Sequence, residues 1–238
     1  MGRAPALLIL SAALVAWYET TPHLGSLSEW RSVAVVAVFL IPAIFGLVFL
    51  ALPVSGGPWE AIAAGALVCV LLAVVLSAVH QPVFSNFAKL AAVTSVGWVF
   101  VRLFEELSWA VLVACVIPII DAYSVWRGPT HTITEHHAAI FTSFSIAFVV
   151  PGGNSARLGL PDVFFFAVFL ASSARFGLRP FATWLVMVAG LGATIVATTY
   201  WATNGLPALP AISFGFLAPN ADLLLKSYRQ RPRAAASG

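Results

Sequence analysis

The sequence predicts an all-α polytopic membrane protein, a bundle of about eight transmembrane helices. Three observations carry this. Of 238 residues, 61% are hydrophobic and only 9% are charged, and the mean hydropathy is +0.96. Soluble domains carry about 25% charged residues, so this much apolar surface cannot be hidden in one water-facing core. The apolar residues also fall into runs suited to a hydrocarbon layer about 30 Å thick. There, only helices and closed barrels satisfy every backbone polar group. Finally, the 8 tryptophans suit rings placed at the headgroup level.

Taken in order, the apolar runs cover residues 4–18, 32–52, 60–80, 88–104, 108–126, 160–178, 181–201 and 207–225. The first is short and begins behind Arg3, like a signal peptide. Its small residues near Ala16 make a poor cleavage site, so it reads as a first membrane helix. The clusters PVSGGP and PGGN separate neighbouring runs. Residues 1–225 are read as one transmembrane domain and 226–238 as a basic, disordered tail. Lys and Arg favour the cytoplasmic side. A cytoplasmic C-terminus puts Arg3, Arg102, Arg175, Arg179 and the tail inside, and leaves Arg31, Lys89, Arg127 and Arg157 outside. The net charge of +3 is concentrated in that tail, as a membrane flank rather than a nucleic-acid patch. Cys69 and Cys115 sit within apolar runs and read as small core hydrophobes, not as a disulfide or metal pair.

One apolar segment departs from the helical pattern. In HAAIFTSFSIAFVVPGGN, Phe144, Ile146 and Phe148 alternate with Ser143, Ser145 and Ala147. Period-two alternation rich in aromatic and β-branched residues predicts a strand within 140–150. A re-entrant or interfacial piece is the alternative.

Acids inside membrane spans are costly to place and mark function. Asp222 has Lys226 four residues on, a spacing that predicts an ordinary helical ion pair. Glu105 and Glu106 share a short loop with Arg102 and read as solvated. Asp121, in LVACVIPIIDAYSVW, has no opposite charge on its own helix face. Asp162 follows Pro161 at a helix start, where an acid complements the helix dipole. The span holding Asp121 ends on the side where the span holding Asp162 begins. Asp121 then lies about 8 Å deep at about 1.5 Å per residue, and Asp162 can meet it there. Pro118 favours a bend just before Asp121. Two carboxylates held close share one proton. One can then activate water while the other protonates a substrate carbonyl, the chemistry of aspartic proteases. In HTITEHH, the residues His131, Glu135, His136 and His137 match no strong zinc spacing and read as a solvated loop. No metal or other cofactor is expected.

The segments DAYSVW, LGLPD and LPALP, in that order, resemble the presenilin and signal peptide peptidase family of intramembrane aspartyl proteases, in particular its prokaryotic members. The likeness covers roughly the C-terminal half of the chain. It implies that Asp121 and Asp162 are catalytic. It also implies that Tyr123, Gly159, Leu160, Pro161, Pro207, Ala208, Leu209 and Pro210 shape the active site. The implied substrates are membrane-spanning peptides or signal-peptide remnants, in a prokaryotic plasma membrane, with no cofactor and no nucleic acid. The charge bias matches the orientation of signal peptide peptidase rather than presenilin. Pro161 stands where the family has glycine, and the family typically has nine spans. Type IV prepilin peptidases also use two membrane aspartates, but the Pro-Ala-Leu stretch and the lack of a basic residue soon after Asp162 argue against them. Two other readings stay open: a catalytically inactive, presenilin-like helix-binding protein, and a proton-coupled transporter relaying through Asp121 and Asp162. Cleavage would need an unwound substrate, which the strand-like segment is expected to hold by strand addition.

Overall fold

A computed structural model describes residues 2–127, 145–152, 155–201 and 206–235. Six helices enter the bundle before the first gap. They are α1 (Arg3–Thr20), α2 (Glu29–Ala34), α3 (Ile41–Ala51), α4 (Trp59–Ala78), α5 (Pro82–Val101) and α6 (Leu107–Arg127). A hairpin follows, β1 (Ser145–Val149) and β2 (Ser155–Gly159). The chain closes with α7 (Leu160–Arg175), α8 (Pro180–Tyr200), α9 (Leu209–Leu217) and α10 (Ala221–Ala235). The protein is an all-α polytopic membrane bundle. Among the described residues, six stretches are long and apolar enough to cross a membrane: Arg3–His23, Glu29–Gly56, Trp59–Ala78, Pro82–Val101, Leu107–Val125 and Pro180–Tyr200. The second joins α2 to α3 through a π-helical stretch, Val35–Leu40. Pro42 lies two residues beyond its end, and its missing N–H would break a regular ladder there.

The two remaining predicted spans are short. α7 has 16 residues and α9 has 9. Burial explains why α7 is stable at that length. Every residue from Phe166 to Ser173 is buried, so protein rather than lipid is its solvent, and the hydrocarbon thickness does not set its length. Its aromatic rings interlock with its neighbours. Phe166 lies 4.0 Å from Phe45, centroid to centroid, and Phe169 stacks on Phe216 at 5.1 Å. Two glycines let backbones close in. A Cβ on Gly97 of α5 would sit 3.1 Å from the Phe164 carbonyl oxygen, and one on Gly215 of α9 would come within 2.6 Å of Met187. Small residues at helix crossings are the usual means of close packing in lipid. α4, by contrast, exposes Leu67, Leu71, Val74 and Val75, as a lipid-facing helix does.

The strand expected within 140–150 is present as Ser145–Val149. Ser143 and Phe144 fall outside the described residues. The partner β2 was not expected. It runs antiparallel, from Ser145↔Gly159 to Val149↔Ser155. Gly152 turns the hairpin with φ +94°, and a Cβ there would lie 2.7 Å from Ser26, so both conformation and space require glycine. The far edge of β1 is occupied. Tyr18 donates its hydroxyl to the Ala147 carbonyl at 2.6 Å, and Trp17 its indole N–H to the Val149 carbonyl at 3.0 Å. The side-chain amide of Asn86 donates to the Ala147 carbonyl and accepts from its N–H, each at 3.5 Å. This corrects the expectation that the 140–150 segment offers its own edge to a substrate.

Two further expectations change at the C-terminus. The 226–238 segment is helical as far as Ala235 rather than an irregular tail. Asp222 pairs with Arg179 and not with Lys226: the two Arg179 Nη atoms donate to its two carboxylate oxygens at 2.7 and 2.8 Å. Both ends of this fork are planar, a match that Lys226 cannot offer.

Candidate active site

Asp121 and Asp162 reach one place from two helices. α6 carries Asp121 past Pro118. Its Oδ2 accepts the backbone N–H of Leu209 at 3.0 Å, and the Ala208 N–H is also directed at its carboxylate. These are the first N–H groups of α9, for which Ala208 is the N-cap. A helix start leaves such donors without intrahelical partners, and Pro210 removes one more N–H from the same turn. Asp121 therefore closes the open end of α9, and the LPALP stretch is held against α6 by its own backbone.

Asp162 is the third residue of α7, after the N-cap Gly159. Its carboxylate turns back to the Gly159 N–H, as the acid of a capping box does. A Cβ on Gly159 would lie 3.2 Å from Asp162 Oδ2 and 3.4 Å from Pro161 Cδ. The space over this residue is thus already filled by its own motif. Pro161 itself sits in the first turn, where a missing N–H leaves no gap. Asp121 and Asp162 lie within Coulombic reach of each other, and both are half-buried. Each acid thus has backbone N–H donors on one side and the other acid nearby.

The other candidates divide. Gly159, Ala208 and Leu209 join the acids directly. Pro207 and Pro210 flank them, half-buried. Leu160 packs into the core, and Pro161 is exposed. Tyr123 is 65% exposed, two residues along α6 from Asp121 and therefore on another face. His131, Glu135, His136 and His137 lie outside the described residues, as does the chain just before Leu206.

Sequence reasoning missed β2. The carbonyls of Ala147 and Val149 face away from β2, since Tyr18 and Trp17 take them. Period-two geometry then turns the backbone groups of Ile146 and Phe148 toward those of Leu158 and Ala156. The backbone groups of Ser155 and Arg157 are left on the outer edge, and the Gly159 N–H turns to Asp162. Among the described residues, β2 has no second strand beside it, and this edge leads straight into Asp162. A signal was available: Pro151–Gly152 after a β-branched run is a turn, and the residues after a turn deserve testing as a returning strand. No protein-family model matches the chain, and no curated protein matches it in sequence.

Proposed function

We propose that this protein is an intramembrane aspartyl endopeptidase that cleaves membrane-spanning peptides or signal-peptide remnants. The observation that supports it is that Asp121 and Asp162, from two helices, lie within Coulombic reach of each other beside the outer edge of β2, which has no second strand among the described residues. In this reading the pair holds one proton. The ionised acid takes a proton from water, and the oxygen of that water adds to the scissile carbonyl carbon. The protonated acid gives its proton to the carbonyl oxygen. Collapse of the tetrahedral intermediate expels the amine, which takes up a proton, and the pair returns to its starting state. The half-burial of both acids suits a site that water can reach. The outer edge of β2 would take the unwound substrate as a third strand and bring its backbone to Asp162. The reaction uses no cofactor. The basic end of the bundle would face the cytoplasm of a prokaryotic cell, by the excess of Lys and Arg there.

The decisive experiment is labelling of the purified protein by a photoreactive aspartyl-protease transition-state analogue. The label is expected to attach to the wild-type chain and to be lost in Asp121→Ala and in Asp162→Ala, together with cleavage of a reconstituted membrane peptide. Substrate crosslinking without labelling or cleavage would replace the reading with that of an inactive helix-binding protein. Proton flux in liposomes without cleavage would replace it with a transporter.

A further inference from the structure

The end of the bundle opposite the acids holds a cavity of about 380 Å³. It lies between the start of α1, the turn after α3 and the C-terminal ends of α5 and α7. Arg3, Arg102 and Arg175 line it, and no acidic residue does among the described residues. Contacts with the protein set the three guanidinium groups in place. Arg102 Nη2 donates to the carbonyls of Ser55 and Gly57, each at 2.7 Å. Arg175 Nη1 donates to the Val101 carbonyl. Arg3 lies over the Phe49 ring, 5.5 Å from its centroid. A guanidinium has five N–H donors, so each group keeps donors for a ligand. A second observation is Trp98. It lines the same cavity, is 4% exposed, and its indole N–H has no hydrogen-bond partner among the described residues. A buried tryptophan N–H ordinarily finds an acceptor.

We infer that this cavity binds a phosphate group. Three guanidinium groups keep their charge by not losing a proton, so their positive potentials add in the cavity they line and favour an anion there. Planar N–H forks match phosphate oxygens. A carboxylate presents two oxygens in one plane, whereas a phosphate presents a tetrahedral set that three arginines can approach from different directions; the Trp98 indole N–H, closed to solvent, would join them by a shift of its ring. The position fits as well, because arginines clustered at one set of helix ends suit the level of lipid phosphates. A phospholipid headgroup and a free phosphate share this chemistry. The inference does not depend on the peptidase reading: about 20 Å of α7 separates Asp162 from Arg175 at about 1.5 Å per residue.

The test uses the full-length protein in phosphatidylcholine nanodiscs, plain or doped with phosphatidic acid. A parallel series titrates inorganic phosphate against chloride at equal ionic strength. The readout is the rise in unfolding temperature with ligand. The wild type is expected to respond to one of the two. The apparent affinity is expected to fall about tenfold in Trp98→Phe and in Arg3→Gln, as for loss of one charge-assisted hydrogen bond. Arg3 is exposed and makes no hydrogen bond to the described protein, so Arg3→Gln tests the site even if Trp98→Phe fails to fold. A response to phosphatidic acid alone assigns a lipid headgroup, and a response to inorganic phosphate assigns the free ion. No response to either, or an equal response in wild type and both variants, overturns the inference.

Discussion

At its first turn α7 carries Asp162, and at its last turn Arg175. Both placements suit the helix dipole, which favours an anion at the N-terminus and a cation at the C-terminus. The two ends differ in their surroundings. Asp162 has the Gly159 N–H and a second acid, Asp121. Arg175 has the Val101 carbonyl, the Phe176 ring at 5.4 Å and the cavity. Nearby, Arg179 has a carboxylate partner of its own. The comparison separates charge that stabilises the fold from charge available for chemistry. A helix cap accounts for either acid alone. Capping α9 by Asp121 and α7 by Asp162 does not itself call for the two acids to lie within Coulombic reach of each other, which like charges oppose.

The sharpest way to break this comparison is to keep the caps and remove the acids. The side-chain oxygen of asparagine can accept the same backbone N–H groups as the carboxylate. Asp121→Asn and Asp162→Asn are therefore expected to unfold near the wild-type temperature while cleavage of a reconstituted peptide falls by about 10²–10⁴-fold. Unchanged cleavage in either variant would reduce that acid to a cap. At the opposite end, Asn220 accepts the Arg179 N–H at 2.9 Å and donates to Thr183 Oγ1 at 2.8 Å and to the Phe216 carbonyl at 2.7 Å. Asn220→Ala is expected to destabilise the bundle by about 2–3 kcal/mol in thermal unfolding, with little change in cleavage per folded molecule.

Gly159→Ala tests the acid end more gently. Its methyl group presses on the Asp162 carboxylate, so activity is expected to drop about tenfold through misplacement of that group, with a smaller fall in unfolding temperature. Tyr18→Phe loses the bond to the Ala147 carbonyl and is expected to cost about 1 kcal/mol. Faster amide exchange in β1 than in α7 would report it. The smallest effect belongs to the exposed pair. Arg179 holds the Asp222 carboxyl below the usual carboxylate range, mainly by hydrogen bonding and then by its charge. The stabilisation is therefore present above the unfolded-chain value of about 3.9 and disappears as the pH falls through the lower folded value. The difference in unfolding temperature between wild type and Asp222→Asn should be small at neutral pH, shrink with added salt, and vanish in strong acid.

The legible and illegible parts of the molecule differ by range. The membrane class followed from composition, and the long helices from their apolar runs. The strand at Ser145–Val149 followed from alternation. β2 was harder to read, because the alternation in SARLG is short and rests on Ala156 and Leu158 alone, and it exists as a strand through pairing with β1. The Asp222–Lys226 pairing failed for a related reason. Residues four apart on one helix are visible in sequence, whereas Arg179, 43 positions away, offers a better fork. Tyr123 belongs to a motif by adjacency, yet a helix turns residues two apart to different faces.

By itself, the sequence determined the solvent of this protein, its helical class and the two acids worth following, since those depend on composition and local periodicity. Only the tertiary structure decided that the amides of Ala208 and Leu209 meet Asp121, that β2 leaves an edge beside Asp162, and that three arginines and Trp98 line one cavity. Each of those contacts joins residues far apart in the chain. Their distance is set by how the helices pack around α7, and no local pattern encodes it.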